Sequence, residues 1–159
     1  MLIKSFKTSQ CTNGCTLFND DSKYMYWENR KATTDEIEIV DFINKNRSFQ
    51  NSKILHIGIG SSFVASNIKK YSMIDGVTIS ANEVNFAKKL NKKNYNVFFL
   101  NKFTHEGFLG KDFKNYDMII DVNLKSFSCC DIAFDNLFTN YVNMLNKNGE
   151  IFTGKKGMN

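Results

Sequence analysis

The apolar run Ile54-Leu55-His56-Ile57 passes without a spacer into Gly58-Ile59-Gly60-Ser61-Ser62, and few folds accommodate that junction. Lacking a Cβ, Gly58 and Gly60 can take dihedrals closed to other residues and let another molecule approach the main chain. A helix starting just after them aims its N-terminal amides at that molecule. A strand feeding a glycine turn and then a helix is the opening of a βαβ unit, so a nucleotide-like ligand at the turn is the first expectation.

The rest of the chain repeats the alternation. Thr33 with Glu36 forms a capping-box pattern, and Ile37, Val40 and Ile43 recur on one side of a helix predicted to end near Asn46. A helix is expected over 62–71 and a second strand over 76–80, where Ser80 to Glu83 is another capping-box pattern opening a helix to Asn91. Residues 97–100 and 117–122 read as strands, Phe134, Leu137, Phe138, Tyr141 and Leu145 mark an amphipathic helix, and Asn148-Gly149 is expected to turn the chain into a fifth strand over 150–153. Residues 1–32 carry no sustained periodicity and are read as an N-terminal arm or lid, with 33–159 as the domain. Strands separated by helices give right-handed crossovers and a doubly wound, mainly parallel α/β sheet of five strands, with helices on both faces. Ligands bind such sheets beyond the carboxyl ends of the strands, beside the reversal of strand order. Five loops surround that place: 58–62, 78–82, 101–105, 121–127 and 153 onward.

Bulk properties narrow the classes. At 159 residues the chain fits one domain able to bury a core without staples. The formal charge of +5 is spread over doublets at Lys69-Lys70, Lys88-Lys89, Lys92-Lys93 and Lys155-Lys156, as helix termini favour, so nucleic acid is a disfavoured partner. No apolar run approaches the roughly 20 residues that span a bilayer, and the first seven residues lack a signal-peptide core, which sets the expectation of a cytoplasmic protein. Cys129 and Cys130 are adjacent and Cys11 and Cys15 form the only local pair, so free thiols and no metal are expected. The abundance of Asn, Lys, Ile and Phe without proline resembles the coding bias of an AT-rich genome.

The segment Ile54 to Ser62 is similar to the glycine motif of Rossmann-like, class I S-adenosylmethionine-dependent methyltransferases. Gly76-Val77-Thr78-Ile79-Ser80-Ala81-Asn82-Glu83 with Phe86-Ala87 resembles the segment after the second strand in the cyclopropane-fatty-acid-synthase-like and small-molecule branch of that family. Tyr116 to Asp121 resembles its fourth strand and Leu145 to Ile151 the turn into its fifth, so the likeness covers residues 33–154. It implies bound S-adenosylmethionine and a methyl transfer to a small molecule, with Gly58 and Gly60 beneath the methionine moiety, Thr78 and Ser80 near the ribose, and Asn101 and Lys102 near the adenine. Four positions depart from the family pattern. His56 stands for an acid, Ser62 for a third glycine, Thr78 for the acid that ends the second strand, and Lys102 for an acid near the adenine amine. The family's final two strands are also missing from the pattern, so a second subunit or the arm is expected to cover the exposed edge.

Chemistry at such a site needs alignment and at most one base. His105, beside Glu106 in a polar loop, is the candidate base, and Asp121, with Asn123, a candidate for orienting substrate or for capping its own loop. His56 is either a ligand contact or a strand histidine held by hydrogen bonds. Tyr26 and Trp27, with Tyr24, either close over a sulfonium through cation–π attraction or pack the arm. Two alternatives stay open: another reaction of the same cofactor (lyase, hydrolase, or aminobutyrate or aminopropyl transfer), and a catalytically inactive binding or partner protein.

Overall fold

The structure, a computed structural model, describes residues 30–103, 108, 112–126, 128 and 131–158. The expected arm up to residue 29, the four cysteines and the candidates Tyr26, Trp27 and His105 lie outside the described residues.

Five strands, β1 (Ser52–Ile57), β2 (Tyr71–Thr78), β3 (Tyr95–Phe99), β4 (Tyr116–Asp121) and β5 (Leu145–Phe152), pair in parallel in the order β3-β2-β1-β4-β5. Helices α1 (Thr34–Lys45), α2 (Phe63–Asn67), α3 (Ala81–Lys89) and α4 (Asp131–Met144) accompany them, with short 3₁₀ turns at Arg47–Phe49 and Lys156–Met158. Strand order reverses between β1 and β4, which places a crevice at their carboxyl ends, where Gly58 and Val122 leave the sheet.

Strand alternation splits the core in two. Ile54, Ile74, Met118 and Ile120 meet Ile39, Val40 and Ile43 of α1 and Val64 and Ala65 of α2. Leu55, Ile57, Val77 and Ile119 point the other way, onto Ala133, Leu137, Tyr141 and Met144 of α4. Central strands covered on both faces are mainly apolar, which is why β1 and β4 read as nearly continuous apolar runs, interrupted by His56 in β1 and Asp117 in β4. Each fully buried aliphatic side chain here contributes about 1.5–3 kcal/mol.

Several boundaries differ from the sequence expectation. α1 is capped by Thr33 with the full capping box, but it buries Glu36, Ile39, Val40 and Ile43 while Ile37 faces outward. The buried stripe is displaced because Glu36 turns in to accept from the Thr33 amide and hydroxyl. α2 stops at Asn67, where Ile68 is extended, and the chain enters β2 five residues before the apolar run at Gly76. The first residues of β2 are largely exposed and carry no apolar signal. α3 stops at Lys89, and β5 starts at Leu145, immediately after α4. β5 uses Leu145 to Glu150 where β4 uses Tyr116 to Met118, so Asn148-Gly149 turns the chain within a bulge of the strand. The asparagines also do structural work: Asn51, Asn91, Asn94 and Asn115 occupy left-handed turn positions, which Asn tolerates better than most residues, so coding bias does not account for them all.

Candidate functional site

The junction that opens β1 to ligand folds as a left-handed turn. Gly58 (φ +73°), Gly60 (φ +51°) and Ser62 (φ +57°) all have positive φ, and Gly58 donates its amide to Val77 O of β2 at 2.7 Å. Over Gly58 the place of a Cβ has no atom of the described residues within 4 Å, an open cradle at the main chain. Ser62 is a residue that pays strain in this conformation, and its hydroxyl is held by the Tyr95 hydroxyl at 2.9 Å. That bond from β3 explains how serine occupies a position where the family pattern has glycine.

The end of β2 is built around Glu83, which sequence reasoning read only as half of a capping box. Ser80 does cap α3, accepting from the Glu83 amide. The Glu83 carboxylate instead accepts from the Thr78 hydroxyl at 2.5 Å and from the Gly60 amide at 3.2 Å, and Thr78 Oγ1 accepts from the Ser80 amide. Burial holds the Glu83 pKa above the ordinary carboxylate value, while the bonds from Thr78 and Gly60 and the charge of Arg30 pull it back and Glu36 adds to the rise. A carboxyl acceptor therefore stands at the end of β2 although Thr78 itself has none. Its signal lay in position: the third residue after a helix N-cap folds back toward the strand that precedes the helix.

Arg30 completes this corner. Its Nη1 lies 2.2 Å from where a Cβ on Gly60 would stand, so the guanidinium covers the turn, and the positive φ of Gly60 strains any other residue there. Arg30 Nη2 is 3.9 Å from Glu36 Oε2 at the start of α1. Arg30 precedes every periodic element, and nothing in the sequence pattern singled it out.

The far side of the crevice is cross-linked. Lys102 Nζ donates to Asp121 Oδ2 at 2.8 Å and to the Asn123 carbonyl at 2.7 Å. The Tyr141 hydroxyl from α4 donates to the same Asp121 oxygen at 2.8 Å, and the Asn123 amide to Oδ1 at 3.2 Å. Burial lowers the Lys102 pKa, with the attraction of Asp121 opposing, and burial beside Asp121 raises that of Tyr141. Lys102 thus turns toward the loop after β4, where it offsets the Asp121 charge. Asn101 is buried and accepts from the Phe103 amide. The turn after β5 is laced to the same loop, with Lys125 and Ser126 donating to Gly157 O and Gly154 to Val122 O.

His56 lies fully buried beneath the turn, and neither ring nitrogen has a hydrogen-bond partner among the described residues. The hydrogen-bonded strand histidine is therefore not what is found. Burial lowers its pKa to about 4, which keeps the ring neutral.

The structure thus gathers Gly58, Gly60, Ser62, Thr78 and Ser80 at one corner, together with Glu83 and Arg30, and Asn101, Lys102, Asp121 and Asn123 at another. A groove of about 420 Å³ lined by Ser52, Asp117, Asn148 and Glu150 lies at the opposite, amino ends of the strands. Among the described residues no group of His, Cys, Asp and Glu is placed to hold a metal, and no helix is long and apolar enough to cross a membrane.

Five parallel strands in this order with a glycine turn beside the reversal are the class I, Rossmann-like methyltransferase fold. Among solved structures it is shared with the N-methyltransferase NodS from Bradyrhizobium japonicum WM9 in complex with S-adenosyl-L-homocysteine, at TM-score 0.61 and 14% identity over 85% of this chain and 66% of that one. Coclaurine N-methyltransferase bound to N-methylheliamine and S-adenosyl-L-homocysteine matches at TM-score 0.54 and 21% identity over 92% of this chain and 40% of its own. The plantazolicin methyltransferase BamL, in complex with a desmethyl-plantazolicin analogue and S-adenosyl-L-homocysteine, matches at 0.55 and 20% over 76% and 45%. This chain spans 40% to 66% of the length of these three. No protein-family model and no curated protein matches the sequence. At these identities the likeness is one of fold.

Proposed function

We propose that this chain binds S-adenosylmethionine at the carboxyl ends of β1 and β2 and transfers its methyl group to a small molecule. The observation that carries the reading is the left-handed turn through Gly58 and Gly60, open over Gly58, with the Glu83 carboxylate bound to the Gly60 amide. The residues present fit the group. Gly58 offers an unobstructed main chain, and Glu83, with Thr78 and Ser80, offers acceptors where a ribose would lie. The cofactor supplies a methyl already activated on sulfur, so the protein's share is binding, alignment and one proton acceptor. His105 is proposed as that acceptor. Asp121 is proposed to orient the acceptor molecule through the Asn123 backbone that it and Lys102 fix, with Asn101 lining the adenine side and Tyr26 and Trp27 closing over the sulfonium.

A catalytically inactive binding protein is the second reading, favoured by the full engagement of the Asp121 carboxylate with Lys102, Tyr141 and Asn123. A second copy of the chain is proposed to cover the outer edge of β5, which has no strand partner among the described residues. A monomer by light scattering contradicts that part. The main test incubates the protein with S-adenosylmethionine and a panel of small amines, thiols and phenols and follows products by mass spectrometry. Methylated acceptor with S-adenosylhomocysteine supports methyl transfer, breakdown without methylation supports sulfonium cleavage, binding with unchanged ligand points to an acceptor outside the panel, and no binding supports the inactive partner-protein reading.

A further inference from the structure

We infer that the loop after β4 forms an alkylammonium site which the chain fills from within, through Lys102, and which therefore excludes a free amine cation from this side of the crevice. This rests on the proposed methyl transfer and narrows its acceptor to a nucleophile that carries no ammonium group at this position, such as a thiol or a phenol.

The site holds the groups that an ammonium ion needs. Lys102 Nζ has three N–H bonds and meets three oxygens: Asp121 Oδ2 at 2.8 Å, the Asn123 carbonyl at 2.7 Å and the Leu124 carbonyl at 3.4 Å. The centroid of the Phe103 ring is 5.0 Å from Nζ, within the range of cation–π attraction. All three oxygens come from residues 121–124, so one loop supplies a carboxylate and two backbone dipoles, and α4 holds the carboxylate through the Tyr141 hydroxyl at 2.8 Å. The cation comes from a different segment. Lys102 follows β3, and β2 and β1 stand between β3 and β4 in the sheet. Its side chain is 11% exposed and that of Asp121 3%, so the pair is closed off from solvent and the ammonium is fully engaged. A tethered ammonium meets such a cage at an effective concentration of about millimolar or more, which a free amine must exceed to displace it. The acceptor side of the crevice thus holds its counter-ion already, and a second cation there would meet repulsion in place of a free carboxylate.

The experiment titrates n-propylammonium, with 1-propanol as the neutral control, into the wild-type chain, Lys102→Ala and Lys102→Met at constant ionic strength. The backbone amides of Asn123, Leu124 and Lys125 are followed by NMR and stability by the midpoint of urea unfolding. Lys102→Ala removes the ammonium with the three carbons next to it, and n-propylammonium is expected to replace them. It returns the three amides toward their wild-type positions and raises the midpoint with the logarithm of its concentration, as a ligand of the native state does. 1-Propanol does neither, and in the wild type and in Lys102→Met, where a side chain fills the space, the amine has no such effect. Where Lys102→Ala is unfolded alone, circular dichroism reads the same result as refolding by n-propylammonium and not by 1-propanol. Saturable binding of the amine at these amides in the wild type, or no response of Lys102→Ala to it, overturns the inference. Methylation of n-propylamine by the wild type overturns the acceptor class. A separate titration of the wild type with S-adenosylhomocysteine reads the cofactor. Its failure to bind overturns methyl transfer and the acceptor class with it, while the ammonium site stands on its own titration.

Discussion

The two corners of the crevice are built on opposite plans. At β1 and β2 the backbone over Gly58 is bare among the described residues: two glycines and a strained serine make the turn, and Glu83, Thr78 and Arg30 gather beside it at Gly60. At β3, β4 and β5 the space is filled. Lys102, Asp121 and Tyr141 close a buried network, and the turn after β5 is laced onto the loop after β4 by backbone hydrogen bonds. The first corner spends stability to make room, and the second uses charge to hold two loops together. A mutation should therefore separate the corners, with binding lost at one and folding lost at the other.

The largest effect is expected from Asp121→Ala. It leaves the Lys102 ammonium, 11% exposed, without its counter-ion, a change that costs about 3–5 kcal/mol in a buried pair. A loss of unfolding free energy in urea of less than a third of that places the network nearer to a surface ion pair. Next comes His56. Its ring is neutral in the fold with a pKa of about 4, whereas in the unfolded chain it titrates near 6.5. The unfolded chain thus binds the extra proton first, and stability present above pH 6.5 falls as pH drops toward 4, by about 3 kcal/mol in all. His56→Leu, which removes two unsatisfied buried nitrogens, should flatten that part of the stability profile measured by urea denaturation at a series of pH values. An unchanged slope means that the ring is not the titrating group.

Smaller effects on folding sharpen the contrast. Gly58→Val places a β-branched residue at φ +73° over the open cradle, costing about 1–2 kcal/mol of stability but at least about tenfold in S-adenosylhomocysteine affinity. Retained affinity in a folded variant moves the ligand elsewhere. Tyr95→Phe removes the hydroxyl that holds Ser62 and should cost about 1 kcal/mol in thermal or urea unfolding. No loss means that Ser62 adopts its left-handed turn unaided.

The fold was legible because its signals are local or periodic. Nearly continuous apolar runs at β1 and β4, capping residues at Thr33 and Ser80, and glycines at 58 and 60 each carry their meaning in neighbouring residues. The boundaries of β2 and β5 were not, since the exposed start of β2 and the bulge of β5 are set by pairing with β1 and β4. The site divides in the same way. Gly58 and Gly60 stood out from the strand-glycine junction and Thr78 and Ser80 only through the family resemblance, whereas Glu83 and Arg30 act through side chains that cross between elements. The direction of Lys102 depends on where Asp121 stands, which only the β1–β4 pairing reveals. Ser62 looked like a departure and is accommodated by a tyrosine on a different strand.

The central claim is that the open corner, and no other part of the molecule, takes an S-adenosyl ligand. Titrating S-adenosylhomocysteine into the ¹⁵N-labelled chain and following each backbone amide by NMR tests it directly. The account predicts shifts concentrated at Arg30, Gly58 to Ser62 and Thr78 to Glu83, fading across Leu137 to Met144. No shifts at all, or shifts gathered around Ser52, Asp117 and Glu150 at the opposite ends of the strands, would contradict it.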